Sequence, residues 1–248
     1  MNRRRVVGLH AAKGALEHTP DKVTAAWLDV QRGDSRLGEL RRQLERAGVT
    51  VHAANRKQLE QLAGGQQHQG VVLEMDLPRE LGENELWAAL EGLAGPALFL
   101  VLDHVQDPHN LGACLRSADA VGVHGVVLTK DQAVGITPTV AKVASGAAET
   151  VPVYRVTNLA RTLEGFKQRG VWVAGAAGEA DQTLYQADLR VPLALVVGAE
   201  GKGLRRLTRV CCDLLIKIPM KGRVESLNLS VATGVMLYEV VRQREGSR

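Results

Sequence analysis

Aromatic residues are scarce in this chain: Phe, Trp and Tyr together make up 3% of its 248 residues. A protein that reads single strands by stacking bases on aromatic platforms carries more. If RNA is a partner, arginine, backbone and shape must do the recognising. Cysteine is as sparse. Three cysteines, with Cys211 and Cys212 adjacent, form no CxxC pair and no Cys/His ligand spacing, which argues against a disulfide framework and against a metal site. Long hydrophobic runs are missing too. The longest, Ala97 to Leu102, falls far short of the ~20 residues that cross a bilayer. Arg3, Arg4 and Arg5 open the chain, but no apolar stretch follows, so neither a secretory signal nor membrane association is expected, and a reducing cytoplasm is the expected compartment.

What is present is a globular balance. Hydrophobic residues make up 45%, enough for a sizeable core, and the net charge of +4 raises the expectation of a nucleic-acid partner only a little. Residues 1–76 read as a small α/β unit. Strands are expected at 25–30, 49–53 and 70–75, with helices at 37–47 and 56–62; Leu37, Leu40 and Leu44 share one helix face, and the alternation predicts a three-layer sandwich. Residues 77–96 read as a linker bounded by Leu77-Pro78 and Gly95-Pro96, with an amphipathic helix at 86–93. Residues 97–248 alternate more strictly. Buried strands are expected at 98–102, 125–128, 151–153, 171–174, 193–197 and 214–218, helices at 111–121, 138–148, 159–169 and 203–211, and a last helix at 229–244. Continuous apolar strands predict a parallel sheet covered on both faces.

Three segments, each following a strand of this second part, hold the candidate chemistry. In Asp107-Pro108-His109-Asn110-Leu111-Gly112, a turn leads into a helix with Asn110 near its start and Arg116 six residues on. Ligands of open parallel sheets bind at the carboxyl ends of strands; the bland reading is a helix cap at Asn110 and a solvated charge at Arg116. In Val197-Gly198-Ala199-Glu200-Gly201-Lys202-Gly203, a buried strand enters a glycine loop. Its GxxGxG spacing is not the GxGxxG of a dinucleotide fingerprint, and the carboxylate of Glu200 sits where a phosphate cradle has none. This spacing counts against a nicotinamide-dependent dehydrogenase. In Ile218-Pro219-Met220-Lys221-Gly222-Arg223-Val224-Glu225-Ser226-Leu227-Asn228, a polar loop precedes the last helix. Ser226, Asn228 and Ser230 offer a hydrogen-bonding wall, unless Ser226 is only the helix cap.

In order and content these segments resemble the three signature motifs of the SpoU (TrmH) family, within the SPOUT superfamily of RNA methyltransferases. Gly8-Leu9-His10-Ala11 and His68-Gln69-Gly70 resemble the ends of the L7Ae/L30e-like substrate-binding domain found in a subgroup. The resemblance spans nearly the whole chain and is nearest to the members that methylate a guanosine ribose in the peptidyl-transferase P loop of 23S ribosomal RNA. It implies an α/β fold with an N-terminal RNA-binding domain and a parallel-sheet domain carrying a C-terminal trefoil knot, an exception to the rule against knots. It also implies S-adenosyl-L-methionine as cofactor, no metal, and a homodimer with the active site at the interface. Residue by residue it assigns catalytic positions to Asn110, Arg116, Glu200, Ser226 and Asn228. Cofactor contacts fall to Val197, Gly198, Gly201, Ile218, Pro219, Met220 and Leu227.

The chemistry expected is an in-line displacement at a sulfonium methyl, which needs alignment of the ribose oxygen and removal or sharing of its proton. A guanidinium stays charged in proteins, so a phosphate clamp suits Arg116 better than the role of base. Glu200, the only carboxylate of the set, either holds Arg116 or Asn110 or accepts the proton. Val231, Val235, Leu237, Tyr238 and Val241 on the last helix suggest a symmetric dimer face. Ten basic residues of the small domain (Arg3, Arg4, Arg5, Arg32, Arg36, Arg41, Arg42, Arg46, Arg56, Lys57) are candidates for tracking phosphates. The alternatives are methylation of another ribosomal site or of transfer RNA, and a non-catalytic binder of structured RNA.

Overall fold

The computed structural model describes residues 3–29, 32–201 and 203–246, and divides into two compact units, Met1–Pro78 and Arg79–Arg248. The first unit runs β1 (Arg3–Val7), α1 (Leu9–His18), a 3-10 turn (Pro20–Lys22), β2 (Val23–Asp29), α2 (Ser35–Arg46), β3 (Thr50–Ala54), α3 (Arg56–Ala63) and β4 (Val71–Asp76). Its sheet has the order β1-β4-β2-β3, with β4 antiparallel to both neighbours and β2 parallel to β3. Alternation along β4 makes the three layers. Val71, Leu73 and Met75 join Leu37, Leu40 and Leu44 of α2, while Val72 packs with Leu59 and Ala63 of α3 on the opposite face. Local chemistry bounds the helices. Asp34 caps α2 through the Arg36 N–H, and Asn55 and Gln58 form a reciprocal capping box on α3, which Gly64 ends in the left-handed conformation.

The sandwich matches the expectation, but β1 and α1 were not expected. The Arg3-Arg4-Arg5 run reads as surface, and it becomes an edge strand only because β4 supplies a partner and Glu74 pairs Arg3 at 2.6 Å. The strand expected at 25–30 starts two residues earlier, at Val23, and its last residue, Val30, lies outside the described residues.

The second unit runs α4 (Glu83–Glu91), β5 (Leu98–Asp103), α5 (Pro108–Ala120), β6 (Gly125–Thr129), α6 (Pro138–Ala144), α7 (Ala147–Thr150), β7 (Val153–Val156), α8 (Leu159–Gln168), β8 (Trp172–Ala176), β9 (Gln182–Thr183), β10 (Leu193–Gly198), α9 (Arg206–Cys211), β11 (Leu214–Lys217) and α10 (Leu229–Glu245). The sheet order is β7-β6-β5-β10-β8-β11-β9 with every pairing parallel. Strands β5, β6 and β10 are buried along their whole length, as the continuous apolar runs required. Phe99 and Val101 of β5 pack with Leu163 and Phe166 of α8 on one face, and α5 packs on α10 and α6. Among the described residues no helix is long and apolar enough to cross a membrane.

Several boundaries differ from the periodicity reading. The helix expected over 138–148 is two helices, because Ser145 and Gly146 both take positive φ and end α6. The strand expected at 151–153 lies at 153–156. The helix expected from 203 starts at Arg206, since Gly203 is left-handed and Arg205 extended. Of the apolar residues expected on the outer face of α10, Leu237 is fully buried in the unit's own core, whereas Val231 and Tyr238 are exposed.

The largest difference concerns the expected linker. Residues from Arg79 onward belong to the second unit. Leu86 of α4 is fully buried, Trp87 meets Phe166 edge-on at 5.4 Å, and the Arg169 guanidinium lies 4.4 Å from the Trp87 ring. A fragment starting at Arg79 should therefore fold stably, while one starting at Gly95, with Leu86 and Trp87 gone, should lose roughly 3–5 kcal/mol. Urea unfolding of the two fragments checks this, and equal midpoints would show that α4 is a passive tether.

Candidate active site

The carboxyl ends of β5, β10, β8 and β11 are adjacent along one sheet edge, so the loops that leave them meet. Asp107 caps α5 through the His109 N–H at 2.9 Å, and Pro108 occupies the first turn, where its missing N–H costs nothing. Asn110 is therefore not the cap. It lies inside the first turn, 6% exposed, with its side chain committed to tertiary bonds. Asn110 Nδ2 donates to Glu200 Oε1 at 2.8 Å, Asn228 Nδ2 donates to the same oxygen at 2.8 Å and to Asn110 Oδ1 at 3.0 Å. Three segments separated by 90 and 118 residues thus close into one hydrogen-bonded ring. Glu200 Oε2 accepts no hydrogen bond among the described residues.

Asn228 also starts α10. Its Oδ1 accepts from Ser230 N at 2.9 Å and Ser230 Oγ at 2.7 Å, which makes Asn228, not Ser226, the helix cap. Beneath the ring, Cys114 of α5 donates to Thr233 of α10 at 3.6 Å. Burial, with a smaller contribution from the Glu200 charge, pushes the Cys114 thiol up to about 12, so this seam stays neutral at working pH. On the other side of the sheet edge, the buried Asp103 at the end of β5 accepts from Arg205 N at 3.0 Å and pairs with His104, pinning the chain just before α9.

The glycine loop is shaped by its own backbone. A Cβ on Gly198 would lie 2.1 Å from the Gly203 carbonyl carbon, and Gly203 N–H returns to Ala199 O at 2.9 Å. Gly201 and Gly203 take positive φ. Next to this loop lies a cleft of about 690 Å³, formed by the segments after β8, β10 and β11 and by the start of α10. Val197, Gly198, Gly201, Ile218, Met220 and Leu227 line it, with Glu200, Ser226 and Asn228. Pro219 does not line it. Asn110 does not line it but is bonded to two residues that do, Glu200 and Asn228.

Arg116 stands apart. It is exposed on α5, six residues or about 9 Å along the axis from Asn110 and about 120° around it. It forms no hydrogen bond or ion pair among the described residues and does not line the cleft of its own chain. Residues 176–179 after β8 were missed from sequence, although they line the cleft and Glu179 pairs with Arg209 at its rim. The available signal was the Ala-Ala-Gly-Glu run directly following a buried strand, and that strand's place beside β10 was not readable from the chain.

A parallel α/β unit with a cleft across neighbouring strand ends, rimmed by a carboxylate held between two amides, has the layout of an enzyme site for a small molecule. Residues 97–238 match the SpoU rRNA Methylase family and residues 5–81 match the RNA 2'-O ribose methyltransferase substrate binding family. The chain belongs to the SpoU family. It is 53% identical over 239 residues to the 23S rRNA (guanosine-2'-O-)-methyltransferase RlmB of Shewanella oneidensis, covering 96% of this chain and 97% of that one. It is 54% identical over 240 residues to RlmB of Ralstonia nicotianae, covering 96% and 95%. Among solved structures it is similar to the SpoU methyltransferase AviRb of Streptomyces viridochromogenes in complex with AdoMet, with TM-score 0.79, 25% identity and coverage of 99% and 92%. It is also similar to an AdoMet-bound rRNA methyltransferase of Sinorhizobium meliloti, with TM-score 0.77, 25% identity and coverage of 97% and 87%.

The double duty of Asn228 is testable. Asn228→Ala should cost about 1–2 kcal/mol, from the lost cap and the loosened ring. Asn228→Asp keeps the cap acceptor but sets a second carboxylate against Glu200. Protonation of either acid relieves that repulsion, so this variant should gain stability relative to wild type as pH falls from 7 to 4. Thermal unfolding across that range checks both, and a pH-independent difference for Asn228→Asp would show that the ring is not closed in solution.

Proposed function

We infer that this chain transfers a methyl group from S-adenosylmethionine to the 2′-hydroxyl of a guanosine ribose in 23S ribosomal RNA, in the peptidyl-transferase P loop. The observation that carries the reading is the closed Asn110–Glu200–Asn228 ring beside the cleft, in a chain whose relatives at 53–54% identity are named for 2′-O-methylation of a 23S rRNA guanosine. The cleft fits the cofactor's chemistry: its volume is that of small-molecule sites, Val197, Ile218, Met220 and Leu227 give apolar walls, and the glycine loop exposes main-chain groups. Val197, Gly198, Gly201, Ile218, Met220 and Leu227 would hold S-adenosylmethionine, with Pro219 shaping the turn between its neighbours. When bound, it supplies an electrophilic sulfonium methyl.

The protein's part is positioning and charge. Asn110 and Asn228 fix the Glu200 carboxylate, whose uncommitted Oε2 accepts a hydrogen bond from the ribose hydroxyl and takes up its proton as the oxygen attacks. Ser226 orients the ribose at the cleft wall. Arg116 holds the adjacent phosphate through its guanidinium. Because Arg116 lies away from its own cleft, it acts on the cleft of a second copy, in a homodimer joined through the exposed Val231 and Tyr238 of α10. The segment from β10 to α10 forms the trefoil knot, the first unit presents the RNA, and the protein works in the cytoplasm.

Mapping 2′-O-methylation of 23S ribosomal RNA from cells with and without the protein tests the activity; an unchanged map overturns it. Arg116→Ala and Glu200→Gln should each lower kcat by about 10²–10³-fold. An equimolar, subunit-exchanged mixture of the two should recover roughly a quarter of wild-type activity, since about half of its dimers are mixed and each of those carries one intact composite site of two. No recovery on mixing, with dimers verified, would place Arg116 in the site of its own chain. Gly198→Ala should weaken cofactor binding in calorimetry, because the loop has no room for a Cβ.

A further inference from the structure

Two of the four described non-glycine residues with positive φ, His104 at 64° and Gln132 at 56°, fall in the neighbouring loops that leave β5 and β6. Left-handed backbone at such residues persists where the surroundings enforce it, and it clusters at functional sites. Here the enforcement is visible. The loop after β6 is tied at four points: Arg155 donates to Val134 O at 3.0 Å and Lys130 O at 2.7 Å, Val134 N–H to Val105 O at 2.9 Å, and Ile136 N–H to Glu80 Oε1 at 2.7 Å. The buried Asp103 carboxylate then joins three loops. One oxygen takes His104 Nδ1 and the other takes Arg205 N–H, while Arg205 Nη2 donates to Gln132 Oε1 at 2.5 Å. These bonds set polarity. With its Nδ1–H given to Asp103, the neutral His104 ring presents Nε2 as an acceptor. With Oε1 taken by a guanidinium, which can only donate, the Gln132 amide presents its NH₂. Neither group has a partner among the described residues.

This cluster shares its loops with the ring. His104 and Asn110 both follow β5, Glu200 and Arg205 both follow β10, and the Gly203 N–H returning to Ala199 O folds that second loop back on itself. The cleft opens on the side of β8 and β11, whereas the cluster lies on the side of β6. A ribose whose hydroxyl meets Glu200, with the cofactor in the cleft, has the β6 side left for its base. We propose that His104 and Gln132 read the target base: its keto oxygen accepts from the Gln132 amide, and the adjacent ring N–H donates to His104 Nε2. Asp103 and Arg205 are the positioning residues that aim these two groups. The proposal rests on the RNA-methylating reading above and deepens it by naming what selects guanosine. A donor beside an acceptor matches O6 and N1–H of guanine. Adenine presents an amino group and a bare N1 in the same places, so donor meets donor and acceptor meets acceptor. Hydrogen bonds do the reading without a stacking platform, in keeping with the shortage of aromatic residues.

The experiment uses the full-length protein, S-adenosylmethionine and three RNA hairpins of the 23S target sequence that differ only at the target base: guanine, hypoxanthine or adenine. Every hairpin keeps the 2′-hydroxyl, so kcat/KM for methyl transfer reads the base alone. Wild type should methylate the guanine and hypoxanthine hairpins within about twofold of each other and the adenine hairpin roughly 10²-fold more slowly. Gln132→Glu keeps the acceptor for Arg205 but turns the donor facing the base into an acceptor. It should slow the guanine hairpin about tenfold without slowing the adenine one, so that the guanine-to-adenine ratio narrows about tenfold. His104→Leu removes the acceptor and should narrow the ratio likewise. Because it also strips the buried Asp103 of a partner, the exposed Gln132→Glu carries the test if that variant does not fold. Arg205→Lys, with no fork to hold the Gln132 amide, should narrow the ratio while KM changes little. A ratio that stays at the wild-type value in Gln132→Glu overturns the proposal, since equal losses on all hairpins mean contact with the RNA backbone. A hypoxanthine hairpin as slow as the adenine one also overturns it, by moving recognition to the 2-amino group. Methylation with an unchanged ratio removes the base reader alone, whereas no methyl transfer by wild type to any hairpin or to ribosomal RNA removes the underlying reading with it.

Discussion

The Glu200 carboxylate accepts from two side-chain amides, and the order of the sheet edge depends on that pair of bonds. One amide arrives on α5 and the other caps α10, so a single oxygen couples the loop after β5, the loop after β10 and the loop after β11. Asp103 does the complementary work one strand over, where a buried carboxylate takes the N–H of Arg205. Between them the two acids hold the glycine loop from both ends. Neither is placed by its local sequence. Parallel pairing puts Gly198 of β10 beside Asp103 of β5, and the loops follow from that register.

Crowding and openness are divided sharply along this edge. Gly198 has no room for a side chain because the loop returns against it, whereas a few residues away the cleft stays open. Small residues therefore serve two different ends in one segment. Gly198 permits the backbone to meet itself, and Gly201 and Gly203 permit the turn that brings it back. The helix seam below is neutral and buried, with Cys114 protonated against Thr233.

The first unit shows why a count of basic residues overstates a positive surface. Arg3 pairs with Glu74, Arg36 with Asp34, Arg41 with Glu45 and Arg56 with Glu60. The Arg36 guanidinium, hydrogen-bonded to Asp34, holds that carboxyl below its usual range. Exposed pairs of this kind add little stability, but they lower the charge presented to a polyanion.

Sequence by itself determined the class of fold, because continuous apolar runs require a sheet covered on both faces and the leucine spacing of 37, 40 and 44 requires one buried helix face. The family resemblance, not the strand pattern, picked out the ring residues and the seven expected cofactor contacts, of which six line the cleft. Tertiary structure alone decided that Asn110 and Asn228 meet on Glu200, that Asn228 rather than Ser226 caps α10, and that residues 176–179 share the cleft. It alone recruited β1 to an edge and α4 to the second unit. These are matters of which strand lies beside which, and neighbour order in a sheet is a long-range choice that a periodicity within ten residues does not encode. Arg116 shows the limit most clearly: its chain position is six residues from Asn110, but helix geometry turns it to another face, away from the cleft.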